Sequence, residues 1–251
     1  MTALELQQSV RDVLYAEAAS LDAVAQTVDS RASDAVTVLL NARNVIVTGI
    51  GKSGIIAHKI AATLTSVGFR GIVLHPVEAL HGDIGIVGNG DVVIMLSNSG
   101  TTPELVTLLP YLRDRGALVI GIIGKPNSPL AAAVDIPVLC SVIEDACPLG
   151  LAPGNSTTAM LALGDALVFT AMKAKGVTRE QFAHSHPLGQ IGKNLTLRVS
   201  DVMHTGEELP LIGTDATFKE AIIEVSRKKL GCVCVVDGAN TLAGIITDGD
   251  V

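Results

Sequence analysis

Asn44-Val-Ile-Val-Thr-Gly49, running directly into Ile50-Gly51-Lys52-Ser53-Gly54 and then an apolar helical pattern, decides the fold. The first part is short, β-branched and ended by glycine, as a strand buried on both faces would be. From about Ser53, Ile56, Ile60, Leu64 and Val67 recur on one side of a helix. A doubly apolar strand feeding a helix belongs to a parallel sheet covered on both sides. The alternation repeats downstream. Gly71-Ile-Val-Leu-His75, Asp91-Val-Val-Ile-Met-Leu96, Ala117-Leu-Val-Ile-Gly-Ile-Ile123 and Asp135-Ile-Pro-Val-Leu139 read as four more strands. A helix is predicted from Pro103 to about Arg115, and a long one from Ser156 to Lys175 with Met160, Leu163, Leu167 and Met172 on one side. Upstream, Val10, Val13, Leu14, Leu21, Val24 and Val28 predict one helix, and Val36, Leu39 and Leu40 a second. The expected architecture is α/β, a five-stranded parallel sheet flanked by helices.

Near Leu197 the character changes. Val199-Ser-Asp-Val-Met203 precedes Pro210-Leu-Ile, a helix over Phe218–Lys228, a strand over Cys232–Val236, the turn Asp237-Gly238 and a strand over Leu242–Ile246. This β-α-β-β unit is small, and it is read as a second, incomplete domain over 198–251 after a first over 1–197. Its open strand edge is expected to pair with another chain or to stay locally disordered.

Composition narrows the function. Of 251 residues 48% are apolar and 17% charged, which excludes a disordered chain. Eighteen Lys+Arg against 25 Asp+Glu leave a net charge of −7, and the six aromatics are scattered, so neither a polyanion groove nor a base-stacking platform is expected. Four cysteines without a two-residue gap between any pair read as reduced thiols rather than a zinc knuckle or disulfide scaffold. The start, Met1-Thr2-Ala3-Leu4-Glu5, has no signal-peptide pattern, and no apolar run approaches the ~20 residues that span a bilayer. A cytoplasmic protein with neither nucleic-acid nor membrane partners is expected.

Ligands of open parallel sheets gather beyond the carboxyl ends of the strands. Three loops land there: Gly49-Ile-Gly51-Lys52-Ser53-Gly54, Ser97-Asn98-Ser99-Gly100-Thr101-Thr102-Pro103 and Gly154-Asn155-Ser156-Thr157-Thr158. Each can be read as an ordinary helix cap or as an anion cradle. Lys52 favours the anion, since a cation at a helix N-terminus opposes the helix dipole by several tenths of a kcal/mol unless a negative ligand offsets it. A Walker A loop fails, because Ile46 stands where its first glycine belongs. Gly49, Gly51 and Gly54 do match a GxGxxG dinucleotide fingerprint, but the second strand closes on His75-Pro76 instead of an acidic residue. An NAD-dependent dehydrogenase therefore stays a minor alternative.

Acid–base candidates lie on the same edge. Glu104 is either a general base or the last member of a capping box Thr101-Thr-Pro-Glu104. His75, His81 and Asp83 form at most a weak metal pattern; Glu144 and Asp145 are either solvated or at the cleft; His184 and His186 precede a turn fixed by Pro187.

Gly49-x-Gly-Lys-Ser-Gly54, His75-Pro-x-Glu-Ala-x-His81-Gly-Asp-x-Gly85, Ser97-Asn-Ser-Gly100, Ala146-Cys-Pro-Leu-Gly-Leu-Ala-Pro153 and Ser185-His-Pro187 occur together and in order. In this they resemble the arabinose-5-phosphate isomerases, a sugar isomerase (SIS) domain followed by two CBS motifs. The likeness covers essentially the whole chain. Ser-Asn-Ser-Gly marks only the wider sugar-phosphate class, whereas the Ala146–Pro153 run is more specific. The resemblance implies a flavodoxin-like SIS domain over 1–197 and a partial first CBS motif over 198–251, the second motif being absent. It implies reversible conversion of D-ribulose 5-phosphate to D-arabinose 5-phosphate, feeding Kdo for lipopolysaccharide or capsule. It implies Lys52, Glu104, Asp145 and His186 as catalytic residues, with Gly51, Ser53, His81, Ser97, Asn98, Ser99, Thr102 and Thr157 holding the substrate. No cofactor or metal is implied. A homotetramer is, and so is a nucleotide effector at a complete CBS pair. Two positions depart from the family: Asp145 replaces its usual glutamate, and His186-Pro187-Leu188-Gly189 replaces its His-Pro-Gly-Gly. The rival class is a non-catalytic SIS protein that binds a sugar phosphate and regulates a partner. That class needs the phosphate loops but not Glu104, Asp145 and His186.

Overall fold

Strands β1 (Val45–Gly49), β2 (Gly71–Val73), β3 (Val92–Ser97), β4 (Leu118–Ile123) and β5 (Ile136–Leu139) lie in the order β2-β1-β3-β4-β5. All neighbours run parallel, as the doubly apolar strands predict. The computed structural model of the chain describes residues 1–142, 144–186 and 198–250, in two compact units, Met1–Leu195 and Thr196–Val251.

In the first unit the strand alternation builds two cores. Val45, Val47, Val92, Ile94, Ile120 and Ile122 face helices α2 (Ser30–Asn41), α3 (Lys52–Ser66) and α7 (Asn155–Lys175). Ile46, Val93, Met95 and Val119 face α4 (Pro76–Leu80), α5 (Pro103–Asp114) and α6 (Pro129–Ala133). Leu39, Ile60, Leu64, Leu105 and Leu112 are wholly buried between helices and sheet, each contributing about 1.5–3 kcal/mol by leaving water. The predicted elements recur, with three differences. Strand β2 ends at Val73, short of His75, because Pro76 opens α4 there. Helices α4 and α6 were not expected from periodicity. And α1 (Ala3–Gln26) does not bury its predicted stripe: Val24 is buried, but Val10, Val13, Leu14 and, beyond its end, Val28 are exposed. Helical spacing records that a face is apolar, not which surface it meets.

α8 (Arg179–His184) closes the described part of this unit. The turn expected at Pro187 and the domain boundary expected at 197 lie outside the described residues. In the second unit, α9 (Val199–Val202) precedes β6 (Leu211–Gly213), α10 (Phe218–Lys228), β7 (Cys232–Val236) and β8 (Leu242–Thr247). β6 pairs parallel with β7, and β7 antiparallel with its hairpin partner β8, the β-α-β-β order expected.

Candidate active site

The strand order reverses direction between β1 and β3, the switch point at which the loops after two adjacent strands part and leave a crevice. Both loops enter it. After β1, Gly51 takes a left-handed φ of 61° as the N-cap of α3, so that Lys52 becomes the first helical residue and Ser53 the second. After β3, Ser97 to Thr102 lead into α5, whose first position is Pro103. The third wall comes from the Cys140–Gly154 connection and the first turn of α7.

Together these line a cavity of about 400 Å³, within the roughly 300–1,000 Å³ of ordinary small-molecule clefts. Its walls carry Lys52, Ser53, Ser97, Asn98, Ser99, Thr102, Asp145, Ser156 and Thr157, with Ile50, Leu96, Leu151, Pro153 and Met160 between them. Eight of the residues predicted from sequence are thus brought together. Ser156 belongs to the third loop but is not among the expected site residues, Leu151 and Pro153 enter only as members of the Ala146–Pro153 run, and Met160 only as part of an apolar helix face.

The Ser97–Thr102 loop is shaped by its own hydroxyls. Ser97 Oγ accepts from Gly100 N–H at 3.0 Å and meets Thr102 Oγ1 at 2.9 Å. Ser99 Oγ accepts from Thr101 N–H and Oγ–H at 3.2 and 3.1 Å. Gly100, at φ 66°, packs so tightly that a Cβ there would lie 2.0 Å from Ser128 Oγ. Lys52 is exposed at the N-terminus of α3, and among the described residues its ammonium has no carboxylate partner. A cation in this place is stabilised by an anionic ligand.

Asp145 is differently occupied. Its Oδ1 accepts from Gly154 N–H and Ser156 N–H, each at 2.9 Å, and Ser156 Oγ–H reaches Oδ1 and Oδ2 at 3.1 and 3.0 Å. Gly154, the N-cap of α7, supplies no side-chain cap of its own. Asp145 therefore caps α7 from outside the helix, its charge at the positive end of the dipole.

The remaining predicted residues stand apart from the cavity lining. Glu104 lies in the first turn of α5, half-buried, and the capping box that was its alternative role does not form: Thr102, not Thr101, is the N-cap, because Pro103 fixes the first helical position. His81 is the exposed C-cap of α4. His186 is half-buried, its Nδ1 2.9 Å from Phe182 O and its ring stacked 4.2 Å from that of Phe182. Gly51 adjoins the lining without belonging to it. Among the described residues, no three His, Cys, Asp or Glu side chains gather as metal ligands would, so His75, His81 and Asp83 do not form a cluster.

Comparison with known proteins bears on what this cavity holds. Residues 38–170 match the SIS domain family and residues 199–251 the CBS domain family. The arabinose 5-phosphate isomerase KdsD of Yersinia pestis is 43% identical over 249 residues, 99% of this chain and 76% of that protein. KdsD of Pseudomonas aeruginosa is 48% identical over 207 residues, 82% of this chain and 64% of that protein. A structure of an Escherichia coli CFT073 protein in complex with arabinose 5-phosphate superposes with a TM-score of 0.72 at 37% identity, covering 74% of this chain and all of that one.

Proposed function

This chain belongs to the SIS-domain arabinose 5-phosphate isomerase family, and from that premise we propose that it interconverts D-ribulose 5-phosphate and D-arabinose 5-phosphate. The observation that carries the reading is one cavity at the β1/β3 switch point, walled by a lysine without a carboxylate partner among the described residues and by hydroxyls from three loops. A phosphate and several sugar hydroxyls ask for such donors.

The reaction moves a proton between carbons 1 and 2. A base takes the proton from carbon 2 of the aldose, or carbon 1 of the ketose, giving an enediol; an acid returns it to the neighbouring carbon, and a hydroxyl proton crosses between the two oxygens. Glu104 and His186, which lie outside the cavity lining, are the proposed proton carriers on the family likeness, a carboxylate and an imidazole being side chains that commonly transfer protons in enzymes. Lys52 stabilises the negative charge that develops on the enediolate oxygen or that resides on the phosphate. Ser53, Ser97, Ser99, Thr102 and Thr157 anchor the phosphate, with Gly51 and Asn98 completing the substrate contacts in the cavity; His81, outside its lining, is proposed as a substrate residue on the family likeness. The reaction needs no redox cofactor, because carbon 1 and carbon 2 exchange oxidation levels within one molecule.

The finer setting belongs to the same proposal: a homotetrameric cytoplasmic enzyme whose product feeds Kdo for lipopolysaccharide or capsule. Exposed Leu6, Val10 and Leu14 on α1 support self-association. Among the described residues, no helix is long and apolar enough to cross a membrane. A nucleotide effector is proposed for a complete CBS pair, of which residues 199–251 match one CBS domain. The test is incubation of the purified chain with ribulose 5-phosphate, followed by NMR. Appearance of arabinose 5-phosphate is expected. Saturable sugar-phosphate binding without turnover overturns the isomerase in favour of a regulatory SIS protein.

A further inference from the structure

Asn155 has no part in the chemistry above, yet it is 2% exposed and nearly saturated with hydrogen bonds. Its Oδ1 accepts from Ala146 N–H at 3.1 Å. Its Nδ2 donates to Ala16 O at 3.1 Å and to Ser20 Oγ at 3.0 Å, both on α1, and Ser20 Oγ–H in turn donates to Ala16 O at 2.9 Å. One side chain at the start of α7 thus ties the loop residue after Asp145 to a helix more than 130 positions earlier in the chain. α1 approaches closely here: a Cβ on Gly154 would lie 3.5 Å from Glu17 Oε1.

We infer that Asn155 is a positioning residue for the cavity, the second half of a clasp whose first half is Asp145. Asp145 draws Gly154 and Ser156 toward the loop; Asn155 draws Ala146 toward α7 and fixes both on α1. The two hold opposite sides of one seam, and the residues they immobilise, Asp145, Ser156 and Thr157, form one wall of the cavity. A partly satisfied buried network is unstable, so loss of one member releases the others. The wall then shifts relative to Lys52 and the Ser97–Thr102 loop, which Asn155 does not touch. Displacement of about 1 Å between groups that must act together can lower a rate by about 100-fold. This deepens the isomerase reading and rests on it for its kinetic consequence, while the clasp itself is open to test without turnover.

The experiment compares the full chain with Asn155→Ala and with the milder Ser20→Ala, which leaves Asn155 bonded to Ala16 O and Ala146. Hydrogen exchange by mass spectrometry is expected to show residues 144–157 exchanging at least about 10-fold faster in N155A, with β1 and β3 unchanged. In the folded variant at 25 °C, kcat/KM is expected to fall about 10- to 100-fold, with most of the fall in kcat. S20A is expected to show the same pattern, with a smaller fall of about three- to tenfold, and decides the matter where N155A does not fold. Unchanged exchange over 144–157 overturns the clasp. Faster exchange with kcat/KM unchanged overturns the positioning role and leaves a structural one. Should the wild-type chain not isomerise ribulose 5-phosphate, the isomerase reading alone falls, and the exchange measurement still decides the clasp.

Discussion

Gly100→Ala separates backbone strain from packing at the turn that shapes the cavity. Gly100 sits at φ 66°, and an added Cβ would lie 2.0 Å from Ser128 Oγ, 2.5 Å from Ser128 Cβ and 3.1 Å from Ile123 Cγ2. Left-handed backbone costs an L-residue about 1–2 kcal/mol. Ser128 cannot rotate away, because the overlap includes its own Cβ and because its Oγ–H donates to Lys125 O at 2.8 Å while capping α6 through Ala131 N–H. Forcing an extra carbon into such a place costs about 1–3 kcal/mol more. The sum is about 2–5 kcal/mol. Gly176→Ala, at the C-cap of α7, supplies the control: φ is 69° and ψ 34°, yet nothing lies within 4 Å of the new Cβ, so only the strain of about 1–2 kcal/mol applies. Urea unfolding of the two variants should therefore differ by at least about 1 kcal/mol. Ser128→Gly in the G100A background removes the clashing atoms and sacrifices only a few tenths of a kcal/mol of cap. It should recover most of that difference, an interaction energy of about 1 kcal/mol or more in a double-mutant cycle. The backbone shift in G100A also breaks the bond from Gly100 N–H to Ser97 Oγ. Turnover of the folded variant should then fall about 100-fold and return in the double variant. If G100A is no more destabilising than G176A, or S128G restores nothing, the packing argument fails.

Three other consequences are open to measurement. His186→Ala should lower kcat about 10²- to 10⁴-fold with the chain still folded, as circular dichroism can check; a variant with most of its turnover removes His186 from the mechanism, and Lys52→Ala with unaltered kcat and KM does the same for the lysine. Burial pushes the Asp91 carboxyl up, but hydrogen bonds from Arg43, Gly88 N–H and Asn44 outweigh it and hold it below the ordinary carboxylate range. A folded-state value below the unfolded one adds stability at pH above about 4 that is lost as pH falls through the folded value. Asp91→Asn should hence cost about 1–2 kcal/mol at neutral pH, a gap in urea midpoint that narrows below pH of about 4 and whose persistence in acid would contradict the assignment. Burial pushes the Cys140 thiol up to about 12, whereas the amides of Ala152, Leu151, Leu149 and Gly150 draw Cys147 below its usual value. Iodoacetamide near pH 7.5 should label Cys147 and spare Cys140 until the chain unfolds, as peptide mass mapping can check.

Why the cavity was legible while its supports were not follows from the range of the forces involved. Strands buried on both faces announce themselves as short apolar runs, and loops at their carboxyl ends announce themselves as Gly, Ser and Thr; both signals are local. Lys52, Ser53, Ser97 and Thr157 were accordingly found by reading along the chain. The five-residue helices α4 and α6 are too short to show a period, and their only local trace is a proline at the first position, Pro76 and Pro129. Glu104 was open to misreading for the same reason: its spacing from Thr101 fits a capping box, but Pro103 moves the helix start by one residue and so removes the box. The capping role of Asp145 and the ties made by Asn155 lie beyond local reading altogether. A carboxylate that caps a helix nine to eleven residues ahead, and an amide that reaches back 135 residues to Ser20, leave no spacing rule in the sequence. The apolar face of α1 belongs with them: periodicity gave its existence, and only its exposure shows that the described residues of its own unit do not cover it. Groups that line the cavity are thus written in motifs, while groups that hold those motifs in place are written in the fold. Substitutions chosen from motifs alone would pass over Asn155.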